Sequence, residues 1–229
     1  MNPMYERTVL LIGEAAFARL QKSRVAVAGL GGVGGHCAEA LARAGVGRLH
    51  LIDFDRVSPS NLNRQIVATK ATLGMQKTSA MAARIAEVSD CAVTASEAFL
   101  SAETVDSAVP PDVDFLVDAI DSVPGKLALA LFAHAHGIPM VCCLGAGNRL
   151  DPAAFDVRDV YETTGCPLAR RMRQGLKKLG IPALPVVFSS EPPHATPNQT
   201  RIGSLAPVTA AAGLCAAGYA LRMLIGSEE

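Results

Sequence analysis

Arg24-Val25-Ala26-Val27-Ala28-Gly29-Leu30-Gly31-Gly32-Val33-Gly34 is the stretch on which the fold turns. Its first five residues read as a buried strand, and the glycines that follow read as a tight turn. Val33, Cys37, Ala40, Leu41 and Ala44 then recur at helical spacing, so a helix is expected over residues 33–44, stopped by Gly45. Gly29, Gly31 and Gly34 fit the G-x-G-x-x-G template between a strand and a helix, with Gly32 in the same turn. In that template the first glycine permits the turn, the second lets phosphate approach the backbone, and the third lets helix and strand pack closely. The amides and partial positive charge at the helix start suit an anion. A nucleotide is the expected ligand.

Outward from the turn, strand-like and helix-like stretches alternate. Strands are expected at residues 49–52, 91–95, 113–117 and 138–143, and helices at 14–21, 76–88 and 126–136. The alternation predicts an α/β fold: a Rossmann-like, doubly wound, mainly parallel sheet with flanking helices. Beyond Leu150 the rhythm changes. An edge strand is expected at 155–160, a basic amphipathic helix at 168–179, a short strand at Pro185–Ser189, and a mobile loop bearing Pro, Thr and Asn at 191–204. One domain over residues 1–229 is expected. Residues 1–150 would form the nucleotide-binding core, and 151–229 a smaller extension that faces the substrate and ends in a packing helix. That last segment, Ala206–Ile225, is nearly all apolar and just long enough to cross a bilayer. Ala and Gly dominate it and give little transfer energy, so it reads as a helix buried against the sheet or at a dimer seam, not a span.

Composition narrows the classes. Half of the 229 residues are hydrophobic, enough for a sizeable core. The 21 basic and 21 acidic residues cancel, so a polyanion such as RNA would need a local basic patch. Arg170, Arg171, Arg173, Lys177 and Lys178 cluster on one expected helix and read either as that patch or as a solvated face. Six cysteines, Cys37, Cys91, Cys142, Cys143, Cys166 and Cys215, are scattered without C-x-x-C spacing. They fit a reducing cytoplasm better than a disulfide framework or a zinc knuckle. The polar Asn2 and charged Glu6 and Arg7 do not suit a secretion signal.

The run Asp53-Phe54-Asp55-Arg56-Val57-Ser58-Pro59-Ser60-Asn61-Leu62-Asn63-Arg64-Gln65 points to the chemistry. Asp53 closes the second strand 19 positions after Gly34, where a carboxylate accepts both ribose hydroxyls. Arg64 and Lys77 supply two cations downstream, which a triphosphate needs more than a dinucleotide does. Asn61 and Gln65 would orient phosphates or the incoming nucleophile. Asp121 would stand at the end of the fourth strand, facing the phosphates. One carboxylate with phosphate oxygens and waters is a usual Mg²⁺ site. Asp118 would cap or brace the loop between them.

Together these residues resemble the superfamily of ubiquitin-activating-enzyme-like (ThiF/MoeB-like) adenylating proteins. The resemblance rests on residues 29–34, Asp53-x-Asp55, Ser60-Asn61-Leu62-x-Arg64-Gln65, Lys77 and Asp121. Within it, residues 5–225 are similar to the tRNA threonylcarbamoyladenosine dehydratase branch. The motifs are Ala40-Leu41-Ala42-Arg43-Ala44-Gly45-Val46-Gly47, Asn63-Arg64-Gln65-Ile66, Val117-Asp118-Ala119-Ile120-Asp121-Ser122, Gly145-Ala146-Gly147-Asn148, Cys166-Pro167-Leu168-Ala169 and Val187-Phe188-Ser189.

The resemblance implies ATP and Mg²⁺ as cofactors and a modified tRNA as substrate, whose carboxylate is adenylated before a ring closes with loss of water. It implies nucleotide contacts from the four turn glycines, Asp53, Asp55, Asn61, Arg64, Gln65, Lys77 and Asp121. It also implies a homodimer in which Arg7 reaches the neighbouring subunit's triphosphate. A sulfur-relay protein is a further partner on this reading. Relatives that activate sulfur carriers often have paired C-x-x-C zinc sites, which are missing here. Cys166 is the one candidate for a catalytic thiol, against a packing role beneath its turn. Rival readings at this point are adenylation of a ubiquitin-like sulfur carrier, a nicotinamide oxidoreductase, and a non-catalytic nucleotide sensor.

Overall fold

The computed structural model describes residues 2–164, 166–195 and 202–226. One seven-stranded sheet runs in the order β3-β2-β1-β4-β5-β7-β6. The strands are β1 Arg24–Ala28, β2 Arg48–Ile52, β3 Ala92–Ser96, β4 Phe115–Asp118, β5 Met140–Cys143, β6 Phe155–Asp159 and β7 Pro185–Ser189. All pairings are parallel except that of β6 with β7. The helices are α1 Glu6–Lys22, α2 Gly34–Ala44, α3 Lys77–Ala86, α4 Val105–Ala108, α5 Val123–His136, α6 Pro167–Lys178 and α7 Ala206–Ile225.

Strand periodicity divides the core in two. Val25 and Val27 of β1 pack with α2, α3 and α7, whereas Ala26 and Ala28 pack with α4, α5 and α6. β1 pairs with both β2 and β4. The chain therefore winds outward through β2 and β3, then returns beside β1 and winds the other way. The crevice at that reversal is where ligands of such sheets bind.

Several boundaries differ from the sequence expectation. α1 begins at Glu6, not at residue 14, because the helix resumes after a kink at Gly13 (φ 79°). β4 starts at Phe115 and runs to Asp118, two residues past the alternation that suggested 113. α5 begins at Val123, where Ser122 Oγ accepts from the Gly125 amide. The four-residue α4 was not anticipated. The edge strand appears as β6, whose Asp156 and Arg158 form an exposed ion pair at 3.0 Å. Residues 196–201 of the expected 191–204 loop lie outside the described residues. α7 alone has the length and hydropathy of a membrane span among the described residues. Its small-residue face, including Ala212, Gly213, Ala216 and Ala220, is buried in the core shared with α2.

Candidate functional site

The turn after β1 is built by steric necessity. Gly29 has φ 86°, and a Cβ on it would lie 2.8 Å from the Ala119 carbonyl at the end of β4. A Cβ on Gly34 would collide with the Gly29 carbonyl oxygen, so α2 starts hard against the turn. The Gly29 amide donates to the Ile52 carbonyl at 2.7 Å, which ties the ends of β1 and β2 together. Gly31 and Gly32 leave room in which the side chains of Gln65, Arg64 and Thr209 gather.

Asp53 is buried, and its carboxylate is fixed by backbone. Leu30 N–H donates to Oδ2 at 2.6 Å and Asp55 N–H donates to Oδ1 at 2.8 Å. Each oxygen keeps accepting capacity for a ribose hydroxyl. Lys77 is buried too, so it is not a solvated lysine at a helix start. Its Nζ lies 2.9 Å from Asp55 Oδ2 and 3.9 Å from Asp53 Oδ1. The Arg56–Gln76 bridge brings these residues together, and the Lys77 amide donates to the Asp55 carbonyl at 3.0 Å.

The Asn61 side chain closes a short turn: its Oδ1 accepts from the Ser58 amide at 3.0 Å. The Asn61 carbonyl then accepts from the amides of Arg64 and Gln65, which turns both side chains toward the glycines. Arg64 donates to the Ser60 carbonyl and Asn63 Oδ1 at 3.0 and 2.9 Å. Gln65 is buried, and its Oε1 has no hydrogen-bond partner among the described residues. Such orphaned acceptors are rare in native proteins. Gln65 Nε2 lies 3.9 Å from where a Cβ on Gly31 would stand, so the donor end of the amide is the end at the glycine turn.

At the end of β4, Asp118 and Lys126 form a fully enclosed ion pair. Lys126 Nζ spends its three hydrogens on Asp118 Oδ1 at 3.0 Å, the Cys143 carbonyl at 2.7 Å and Cys142 Sγ at 3.6 Å. Burial by itself would push the amine down. The charge and hydrogen bond around it, Asp118 foremost, together outweigh burial and hold the amine above its ordinary value. Asp118 Oδ1 also accepts from the Ile120 amide at 3.2 Å, so it braces the loop. Asp121, farther along, is exposed. Lys126 is one residue that the sequence reading missed. A lysine at a helix start offers no sign of its buried partner eight positions earlier.

The remaining candidates lie apart. Arg7 is exposed on α1. Arg170, Arg171, Lys177 and Lys178 are exposed on α6, with Lys177 Nζ 5.9 Å from the Tyr161 ring centre. Arg173 is engaged internally, donating to the Val160 and Thr163 carbonyls and to Thr163 Oγ1. A groove of about 580 Å³ is lined by Cys166, Pro167, Arg170, Arg171, Arg173 and Gln174. Cys166 is buried at the start of α6, and its neighbour Gly165 lies outside the described residues. Burial drives the thiols of Cys142 and Cys143 well up and that of Cys37 to about 12, so these three are packing groups.

The glycine turn, Asp53, Arg64, Gln65, Lys77 and the 118–121 loop thus meet at one switch-point crevice, and residues 5–229 match the ThiF family. The chain belongs to the ThiF family. This ThiF-family chain is 39% identical over 203 residues to the tRNA threonylcarbamoyladenosine dehydratase of Bacillus subtilis (strain 168), covering 88% of this chain and 80% of that one. It superposes with a TM-score of 0.90 on the Escherichia coli tRNA N6-threonylcarbamoyladenosine dehydratase solved in complex with ATP. That pair is 35% identical, over 96% of this chain and 93% of the other. A more distant relative is the molybdopterin-synthase adenylyltransferase of Escherichia coli (strain K12), 34% identical over 150 residues, or 64% of this chain and 59% of that one.

Proposed function

We propose that this chain is an ATP-dependent tRNA threonylcarbamoyladenosine dehydratase. The carrying observation is the convergence of a backbone-fixed ribose reader, Asp53, with the Gln65 Nε2 donor and the Arg64 cation on a phosphate-approachable turn. The match to dehydratases, longer and closer than that to the adenylyltransferase, supports a modified tRNA as the substrate. Adenylation of a ubiquitin-like sulfur carrier is therefore not the favoured reading.

The chemistry follows from the substrate. A carboxylate is a poor electrophile, so its oxygen first attacks the α-phosphorus of ATP and pyrophosphate leaves with the P–O bonding pair. A nitrogen or oxygen of the same side chain then attacks the acyl carbon and AMP departs. The net result is ATP split to AMP and pyrophosphate and one water lost from the nucleoside. Asp53 would hold the ribose, and the turn amides with Gln65 would orient the phosphates. Arg64 would oppose the charge that develops on the leaving pyrophosphate. Ring closure is intramolecular and needs alignment above all.

Asp121 suits Mg²⁺ as a single exposed carboxylate beside the phosphate turn. Asp118 is unsuited, being enclosed with Lys126. Held at Asp121, the ion would supply positive charge against the triphosphate. Arg7 belongs to the same proposal as a cation delivered from a second subunit. What supports this is its place on an exposed turn of α1 beside Leu10 and Leu11, which are 74% and 85% exposed. The α6 arginines are proposed to meet tRNA phosphates.

The test is ATP–pyrophosphate exchange with three acceptors: threonylcarbamoyl-modified tRNA, unmodified tRNA, and a carrier protein with a free C-terminal glycine. Exchange should need the modified tRNA, and digestion should yield a nucleoside lighter by one water. Neutralising the crevice with Arg64→Ala and Asp121→Asn should slow ATP splitting by about 100-fold or more. Exchange driven by the carrier alone, or an unslowed double variant, would overturn the proposal.

A further inference from the structure

Past β5 the chain runs Leu144-Gly145-Ala146-Gly147-Asn148-Arg149, and Arg149 is 4% exposed. Its Nε donates to the Gly145 carbonyl at 3.1 Å, so the guanidinium folds back on its own loop. Nη1 has no acceptor among the described residues, and none of the ion pairs there includes Arg149. Arginine cannot shed its proton, and a buried charge without a partner is costly. A guanidinium held this way is complementary to an anion that the chain itself does not provide.

Two relations place it. The register pairs Asp118 of β4 with Cys142 of β5. Gly145 lies three residues past Cys142, as Asp121 lies three past Asp118, so the two loops leave the sheet side by side. The second relation runs through the segment before α7. Asn148 exchanges bonds with Gly203: Asn148 N–H donates to the Gly203 carbonyl at 2.8 Å, and Gly203 N–H donates to Asn148 Oδ1 at 2.6 Å. The carbonyl of the next residue, Ser204, accepts from Asn63 Nδ2 at 3.1 Å. Consecutive residues therefore pin the Arg149 loop to the Asn63–Arg64 pair. Arg149 thus sits on a loop tied through residues 203–204 to the Asn63–Arg64 pair, and it is a cation separate from Arg64 and Lys77.

We propose that Arg149 receives the carboxylate of the tRNA-borne side chain and presents it to the α-phosphate, an inference that rests on the dehydratase reading. An ionised acid approaching a triphosphate is repelled, and a planar guanidinium both neutralises it and fixes its plane by paired hydrogen bonds. Once the carboxylate oxygen has bonded the α-phosphorus and pyrophosphate has left, the acyl group is no longer a carboxylate anion. The guanidinium then loses its ionic partner, and the side chain is free to turn for ring closure.

The experiment compares the wild type with Arg149→Met and Arg149→Lys in the full chain. ATP affinity should stay within about threefold, whereas KM for modified tRNA should rise about tenfold or more in Arg149→Met, because a charge-assisted bond is lost. Arg149→Lys, which keeps the charge and is the variant to rely on if the other does not fold, should give a smaller rise. Binding of unmodified tRNA should not change in either. An equal loss for unmodified tRNA would mean a backbone-phosphate contact and overturn the assignment, as would an unmoved KM for modified tRNA in both variants. If the wild type itself shows no exchange with modified tRNA, the dehydratase reading fails first and takes this inference with it.

Discussion

Lys77 shows how much a single side chain gains from its neighbours. It lies enclosed against Asp55, with Asp53 within 3.9 Å, so one ammonium lets two carboxylates stand at the mouth of the ribose site. Removing it with Lys77→Met would leave like charges facing each other. The expected outcome is an ATP Kd weakened about tenfold or more, read by calorimetry, with Asp55→Asn/Lys77→Met recovering part of the loss. Unchanged affinity in the single variant would show that the pair does not shape the site. At this scale the sequence was partly legible. The spacing of Asp53 from Gly34 is a local fact, readable from the chain. The partners of Lys77, Lys126 and Arg149 are not, because each depends on where separate strands end in space. Arg173 makes the same point in reverse. It resembles its basic neighbours in the sequence, yet the turn around Thr163 engages it internally.

Among the elements, the most local one was the most legible. β1, the glycine turn and α2 form one continuous strand–turn–helix, and β1 has the bounds that its apolar run suggests. The start of β4 was set too early by the apolar Val113: Asp114 spends its carboxylate on the Arg24 amide at 2.7 Å, and the ladder with β1 begins at Phe115. α1 is read from the sequence as starting at Glu14, whereas packing of Val9, Phe17 and Leu20 holds helix on both sides of the Gly13 kink. Elements also differ in what joins them. His50 on β2 reaches Thr94 and Ser96 of β3 and the Ala108 carbonyl at the end of α4. Burial lowers the affinity of the ring for a proton, and nearby Arg24 adds to this against the Ala108 carbonyl, which favours the charged form. The folded pKa lies below the ordinary 6.5, so the unfolded ring takes up its proton first as pH falls. This contribution to stability is complete above 6.5 and is lost as pH drops from there through the folded value. The melting temperature should fall between about pH 7 and pH 5.5, and less so in His50→Gln. Equal slopes in the two proteins would remove His50 as the cause.

For the whole molecule, charge distribution matters more than charge total. The chain is formally neutral, yet α6 turns Arg170, Arg171, Lys177 and Lys178 to the surface. Replacing Arg170 and Arg171 by Ala should weaken tRNA binding and lessen the slope of log K against log salt by about one to two, since each phosphate contact contributes a little under one. A slope that does not move would place the RNA elsewhere. Arg173→Ala is the instructive contrast, because its effect should fall on thermal stability. The enclosure of Lys126 has a different use. An amine with every hydrogen engaged and no surface presents nothing to an acylating reagent. In a time course of amine-specific labelling followed by peptide mass mapping, Lys70 and Lys178 should tag at once, while Lys126 waits for the sheet to come apart. Its tagging rate would then be a built-in clock for complete unfolding, readable without any engineered probe.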